Sequence, residues 1–86
     1  MKIAITARHM ELTPPLREHI ERKLRKVGKY STRLVKAHFI LSVEKHRHIA
    51  EVVISGARHI FKRKEEAGDM YSAIDKAMDK IEVQVQ

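Results

Sequence analysis

Apolar and polar positions alternate from Lys2 to Arg8, with Ile3, Ile5 and Ala7 on one side and Lys2, Thr6 and Arg8 on the other. That period of two predicts a half-buried strand. The period then changes. Leu16, Ile20, Leu24 and Val27 recur at spacings of four, four and three, which predicts an amphipathic helix of about four turns. Thr13 is a good N-cap for it, and Pro14 suits the first helical position, where its missing N–H would be unpaired anyway. Gly28 falls at the far end, as the expected C-terminal cap.

Leu34 to Glu44 alternates again over a longer run. Val35, Ala37, Phe39, Leu41 and Val43 form one face, and Lys36, His38, Ile40 and Ser42 the other. Lys45-His46-Arg47 is a short polar connection to a strand over His48–Ser55, so the two form a hairpin. Ser55-Gly56-Ala57 signals a further turn, before a fourth strand over Arg58–Lys64 anchored by Ile60 and Phe61. Glu65 and Glu66 then read as charges leading into a second helix, with Asp69 as its N-cap. Met70, Ile74, Ala77, Met78 and Ile81 share that helix's apolar face. The order β-α-β-β-β-α is an α+β domain, with a four-stranded sheet and both helices expected on one face.

Length allows a single domain over residues 1–86. There is no cysteine, which excludes disulfides, thiol catalysis and cysteine-ligated zinc. Met1 to Thr6 carries no long apolar run, so neither a signal peptide nor a membrane span is expected, and the cytoplasm is the default location.

Charge changes the picture more. Eighteen basic residues stand against eleven acidic ones, a formal net charge of +7. Residues 1–44 carry ten basic and four acidic residues, and seven of the basic ones lie between Arg17 and Arg33. At about 100° per residue, Glu18, Arg22, Arg25, Lys26 and Lys29 point away from the Leu16/Ile20/Leu24/Val27 stripe, with Lys23 on a flank. Arg22–Lys26 and Arg25–Lys29 are like-charge i,i+4 pairs, which oppose helix formation slightly. A solubilising surface would mix signs, so the row points to an anionic partner such as nucleic acid. Lys76 and Lys80 face away from the second helix's apolar stripe and would extend the surface, although Asp75 and Asp79 flank them. Arg58, Lys62, Arg63 and Lys64 form a third cluster.

Aromatic stacking platforms are scarce. Phe39 and Phe61 occupy core positions and Tyr71 borders the second helix's apolar face, leaving Tyr30 as a candidate, either stacking on bases or packing under the first helix. Contact is therefore expected from Lys and Arg to phosphate, reading the shape of folded RNA or a duplex. Six histidines, among them His46, His48 and His59, lack the carboxylate or cysteine company of a zinc site, so no metal is expected. No phosphate-binding glycine loop or nucleophile elbow is present, so neither an enzyme, a cofactor nor a small-molecule substrate is expected.

Two stretches carry a family resemblance. One runs from His9-Met10-Glu11-Leu12-Thr13 through Leu16-Arg17-Glu18-His19-Ile20-Glu21-Arg22-Lys23-Leu24 to Lys29-Tyr30. The other is Asp69-Met70-Tyr71-Ser72-Ala73-Ile74-Asp75, continued by Asp79-Lys80-Ile81. With the order of elements, they resemble the ribosome hibernation-promoting factors and ribosome-associated inhibitors, also called sigma-factor modulation proteins, as a short form or the N-terminal domain of a long form. The resemblance implies a fold similar to double-stranded-RNA-binding domains. It implies binding to the small ribosomal subunit and its 16S rRNA, in the channel for messenger and transfer RNA, and inhibition of translation in stationary phase or stress. Lys23, Lys26 and Lys80 fall where members commonly carry basic residues, whereas Arg22, Arg25, Lys29 and Lys76 join them on geometry. Gly28 interrupts a stretch usually rich in helix formers, and Arg63 stands where a small residue is usual. This segment implies no homo-oligomer. The alternatives are a generic double-stranded-RNA-binding module and a regulatory protein-interaction domain that modulates a sigma factor.

Overall fold

The computed structural model describes residues 1–29 and 33–85. Tyr30 lies outside the described residues. The chain runs β1 (Lys2–Arg8), α1 (Pro14–Gly28), β2 (Leu34–Glu44), β3 (Arg47–Gly56), β4 (Ile60–Ala67) and α2 (Met70–Val85). The strands lie side by side in chain order, β1 parallel to β2 and the rest antiparallel. A parallel neighbour needs a long return, and α1 supplies it between β1 and β2. Thr13 caps α1 through its hydroxyl, which accepts from the Leu16 N–H.

Alternation decides which sheet face the helices cover. Ala37, Phe39 and Leu41 of β2 point to the same side as Ala50, Val52 and Ile54 of β3. They meet Leu16, Ile20, Leu24 and Val27 of α1 and Met70, Ala73, Ile74, Ala77, Met78 and Ile81 of α2 in one core. The opposite sheet face, with Lys36, His38, Ile40 and Ser42, carries no helix among the described residues. Thr6 and His38 hydrogen-bond across β1 and β2 there, at 3.0 Å. The architecture is the expected α+β order, with both helices on one face of a mixed sheet.

Local departures have physical reasons. Pairing passes from Leu34–Gly56 directly to Lys36–Ser55, so Val35 is the extra residue of a bulge. It is 59% exposed, and Leu34 packs against the core in its place. Gly28 is the last helical residue and has no positive φ; Lys29 takes the cap position in a right-handed conformation. The fourth strand is shifted to Ile60–Ala67, so Glu65 and Glu66 belong to the sheet rather than to the approach to a helix. Alternation explains the shift, since Phe61, Arg63, Glu65 and Ala67 are half-buried while the residues between them are exposed. Arg63 pairs with Val52, which places it on the helix-covered side.

Candidate nucleic-acid interface

Every basic residue singled out on α1 lies within its last two turns or at its cap. Leu16, Ile20, Leu24 and Val27 bury one stripe, which turns Arg22, Arg25, Lys26 and Lys29 outward to solvent. Lys23 sits on the flank towards α2 and is half-buried.

That flank is a seam of opposite charges. His19, Lys23 and Lys26 rise along α1 at i, i+4 and i+7, and Asp75, Asp79 and Glu82 rise along α2 at the same spacing. The rows meet. His19 Nε2 lies 2.6 Å from Asp75 Oδ1. The Lys23 ammonium stands 3.5 Å from Asp75 and 3.4 Å from Asp79. Lys26 reaches Glu82 at 3.6 Å. Tyr71 sets its ring edge-on to His19, with centroids 5.1 Å apart. Arg22 hydrogen-bonds the other imidazole nitrogen, Nδ1, at 3.2 Å. A guanidinium can only donate, so Nδ1 accepts and the ring proton sits on Nε2, aimed at Asp75.

Lys76 and Lys80 lie on the other flank of α2, over β4. Lys76 donates to the Glu66 carbonyl at 3.2 Å, and Lys80 pairs with Glu65 at 2.9 Å. The Lys80 hydrogen bond is the largest influence holding the Glu65 carboxyl below its ordinary range. The expectation that both helices present one continuous basic surface therefore needs correcting. Asp75, Asp79 and Glu82 run between the α1 row and Lys76/Lys80, so positive charge divides into two strips.

Within the α1 row the residues are not equivalent. Lys23 and Lys26 are met by carboxylates of α2, which also relieves part of the Arg22–Lys26 repulsion inside the fold. Arg25 and Lys29 make no ion pair or side-chain hydrogen bond among the described residues. The seam acids are the contribution that a single-helix projection misses. Their signal was present as two matched i, i+4, i+7 rows of opposite sign. Of the histidines, none joins a group of three or more possible ligands placed to hold a metal ion among the described residues. No described helix is long and apolar enough to cross a membrane.

The sequence pattern of the family described as "Sigma 54 modulation protein / S30EA ribosomal protein" matches residues 3–86. The chain belongs to this family. It is 34% identical over 85 residues to the ribosome-associated factor Y of Haemophilus influenzae, covering 99% of this chain and 79% of that protein. A ribosome hibernation promoting factor of Salmonella typhimurium is 33% identical over 81 residues, covering 94% of this chain and 85% of the relative. The solved structure of a ribosomal subunit interface protein from Coxiella burnetii superposes with a TM-score of 0.92 at 27% identity, over 99% of this chain and 93% of that one. These names describe ribosome-associated factors rather than enzymes.

The fold gives the Asp69–Asp75 stretch of this S30EA-family chain a physical reading. Asp69 caps α2, accepting from the Ser72 N–H at 2.9 Å and from the Ser72 hydroxyl at 2.7 Å. Met70, Ala73 and Ile74 are buried in the core. Tyr71 and Asp75 close on His19 of the other helix. One short run thus starts α2, seats it on the sheet and fixes it to α1.

Proposed function

We propose that this chain is a cytoplasmic ribosome hibernation factor, with residues 1–86 acting as a single ribosome-binding domain. It binds the small ribosomal subunit through 16S rRNA in the messenger and transfer RNA channel, and it inhibits translation during stationary phase or stress. Its mechanism is occlusion. The folded body fills the path of the RNAs, and cationic side chains hold it against phosphate, with no bond made or broken and no cofactor required.

The observation that carries this reading is the outward row Arg22, Arg25, Lys26 and Lys29 on a helix whose opposite stripe is fully committed to the core. Membership of a family whose relatives are named for ribosomes and hibernation supports a ribosomal partner. Lys23, Lys76 and Lys80 contribute from the flanks. Changing Arg22, Arg25, Lys26 and Lys29 together to Glu should abolish co-sedimentation with small subunits while leaving the circular dichroism spectrum unchanged. Undiminished co-sedimentation of a folded quadruple variant would overturn the reading. Equal competition by a bare RNA duplex would instead favour a general duplex-binding module.

A further inference from the structure

The positive charge outside the two helical strips includes a group gathered around a cleft. It lies where β2 begins, β3 ends and β4 starts, against the last turn of α2. Leu34, Phe61 and Val85 contribute apolar surface, while Arg33, Arg58 and His59 supply cationic or protonatable groups; among the described residues, none that lines it is acidic. Its volume is about 170 Å³. A cavity of about 150 Å³ is known to hold one benzene ring. The His59 and Phe61 rings are tilted by 40° with centroids 6.1 Å apart, and Phe61 is only half-buried. Phe61 is thus not wholly a core residue.

The cleft is preformed. The Gly56 N–H donates to the His59 carbonyl at 2.8 Å and the Ala57 N–H to the Arg33 carbonyl at 3.2 Å, which holds the turn against the start of β2. A Cβ at Gly56 would come within 3.2 Å of the Arg33 carbonyl oxygen, so the absence of a side chain there permits the close approach. The Gly56 and Ala57 N–H groups are thus engaged within the protein, and the cleft offers a ligand the apolar surface of Leu34, Phe61 and Val85 with the exposed Arg58 and His59 at its rim.

That combination suits a ligand with a planar ring at one end and an anion at the other. We propose that the cleft binds a nucleotide, its base against Phe61 and His59 and its phosphate at Arg58. Stacking on aromatic rings together with phosphate pairing is the usual chemistry for an unstacked nucleotide. The ligand comes either from an extruded base of RNA or from a free mononucleotide. The first source rests on the ribosome-binding reading above and deepens it. The second source does not depend on ribosomes.

The experiment is a titration of the isotope-labelled chain, followed by amide NMR, with each of the four ribonucleoside monophosphates, with ribose 5-phosphate and with inorganic phosphate. Monophosphates should move the signals of Leu34, Gly56–Phe61 and Val85 saturably, with millimolar affinity. Ribose 5-phosphate and phosphate should bind about fivefold more weakly or worse, since they lack the stacking ring. Arg58 and His59 are exposed, so the double variant Arg58→Ala/His59→Ala should keep its fold and lose the binding. Absence of saturable shifts at these positions, or equal response to phosphate alone, overturns the proposal. Small-subunit affinity of the double variant then names the source. A drop of about fivefold or more assigns the site to a nucleotide of RNA; unchanged affinity with mononucleotide binding intact in the parent assigns it to a free nucleotide. The titration contains no ribosomes, so failure of the parent chain to co-sediment would sink the ribosome reading without touching the cleft.

Discussion

The imidazole of His19 and the carboxylate of Asp75 lie 2.6 Å apart and tie α1 to α2 across the helix seam. Asp75 also faces Lys23 at 3.5 Å, so one carboxylate serves two partners on the other helix. Truncating it with Asp75→Ala leaves the half-buried His19 donor without its acceptor. The expected loss is about 1–2 kcal/mol, read from the urea midpoint at unchanged slope. Asp75→Asn keeps an acceptor for the Nε2–H and should lose less than half as much. Equal losses in the two variants would show that charge, rather than the hydrogen bond, fixes the seam.

The outer seam acids have the opposite balance. Asp79 is exposed, and its contact with Lys23 at 3.4 Å is a surface pair, worth about 0–1 kcal/mol. Glu82 meets an exposed Lys26 at 3.6 Å. Replacing both acids with Ala should lower stability by less than about 1 kcal/mol while releasing Lys26 for phosphate and leaving Lys23 with Asp75 alone. Faster association with small subunits at low salt, with a steeper salt dependence, is the expected readout. Slower association would mean that the acids position the lysines rather than restrain them.

Acid should destabilise the fold through two carboxyls in particular. The Ser72 backbone N–H, and then its hydroxyl, hold Asp69 below its ordinary value of 3.8. The hydrogen bond from Lys80 holds Glu65 below its ordinary 4.5. A group depressed in the folded state binds its proton more readily in the unfolded chain, so stability rises with pH through this range. The contribution is complete above the ordinary values and disappears as pH falls through the folded ones. Urea midpoints taken downward from about pH 5 should therefore decline. Asp69→Asn retains an acceptor but cannot titrate, so its decline should be shallower. Superimposable profiles for parent and variant would remove Asp69 from the account.

Much of this architecture was legible in residue spacing. β1, α1 and β2 follow directly from periods of two and 3.6, and Thr13 and Asp69 act as the caps their residue types suggest. The misses occurred where tertiary contact overrode local pattern. Val35 continues the apolar alternation perfectly, yet the bulge at the start of β2 expels it and seats Leu34. Glu65 and Glu66 suit a helix N-terminus, but Lys80 and Arg47 give them partners across the sheet and the helix layer. The candidate interface was half legible. Projection of α1 alone shows which side chains turn outward; only the packing of α2 beside it shows that Lys23 and Lys26 meet acids and that Lys76 and Lys80 lie on a separate strip.

Arg63 illustrates a residue that the fold tolerates rather than requires. Among the described residues its buried Nε has no hydrogen-bond partner, and the Glu65 carboxylate stands 3.6 Å from the guanidinium. A buried unsatisfied donor costs about 1–3 kcal/mol. Arg63→Met keeps the packing length and removes the donor, so it should be neutral or stabilise the domain by about 1 kcal/mol. Arg63→Ala removes the half-buried stem as well and should destabilise the domain through lost packing. Thermal unfolding of both variants distinguishes the two contributions, and destabilisation by Met as great as by Ala would show that the charge itself is needed.

The division of the α1 row yields a direct test of the proposed RNA contact. Arg25 and Lys29 make no ion pair among the described residues, whereas Lys23 and Lys26 must leave carboxylates of α2 before they can meet a phosphate. Each phosphate neutralised contributes about 0.7–0.9 to the slope of log affinity against log salt, by counterion release. Arg25→Ala/Lys29→Ala should therefore flatten the slope for small-subunit binding by about 1–2, with no change in urea stability beyond about 0.5 kcal/mol. Lys23→Ala/Lys26→Ala should flatten it by less, because those ammonium groups exchange one anion for another, and should cost measurable stability through the seam. A larger change in slope from the Lys23/Lys26 pair than from Arg25/Lys29 would reverse the assignment and place the RNA over the seam rather than along the C-terminal half of α1.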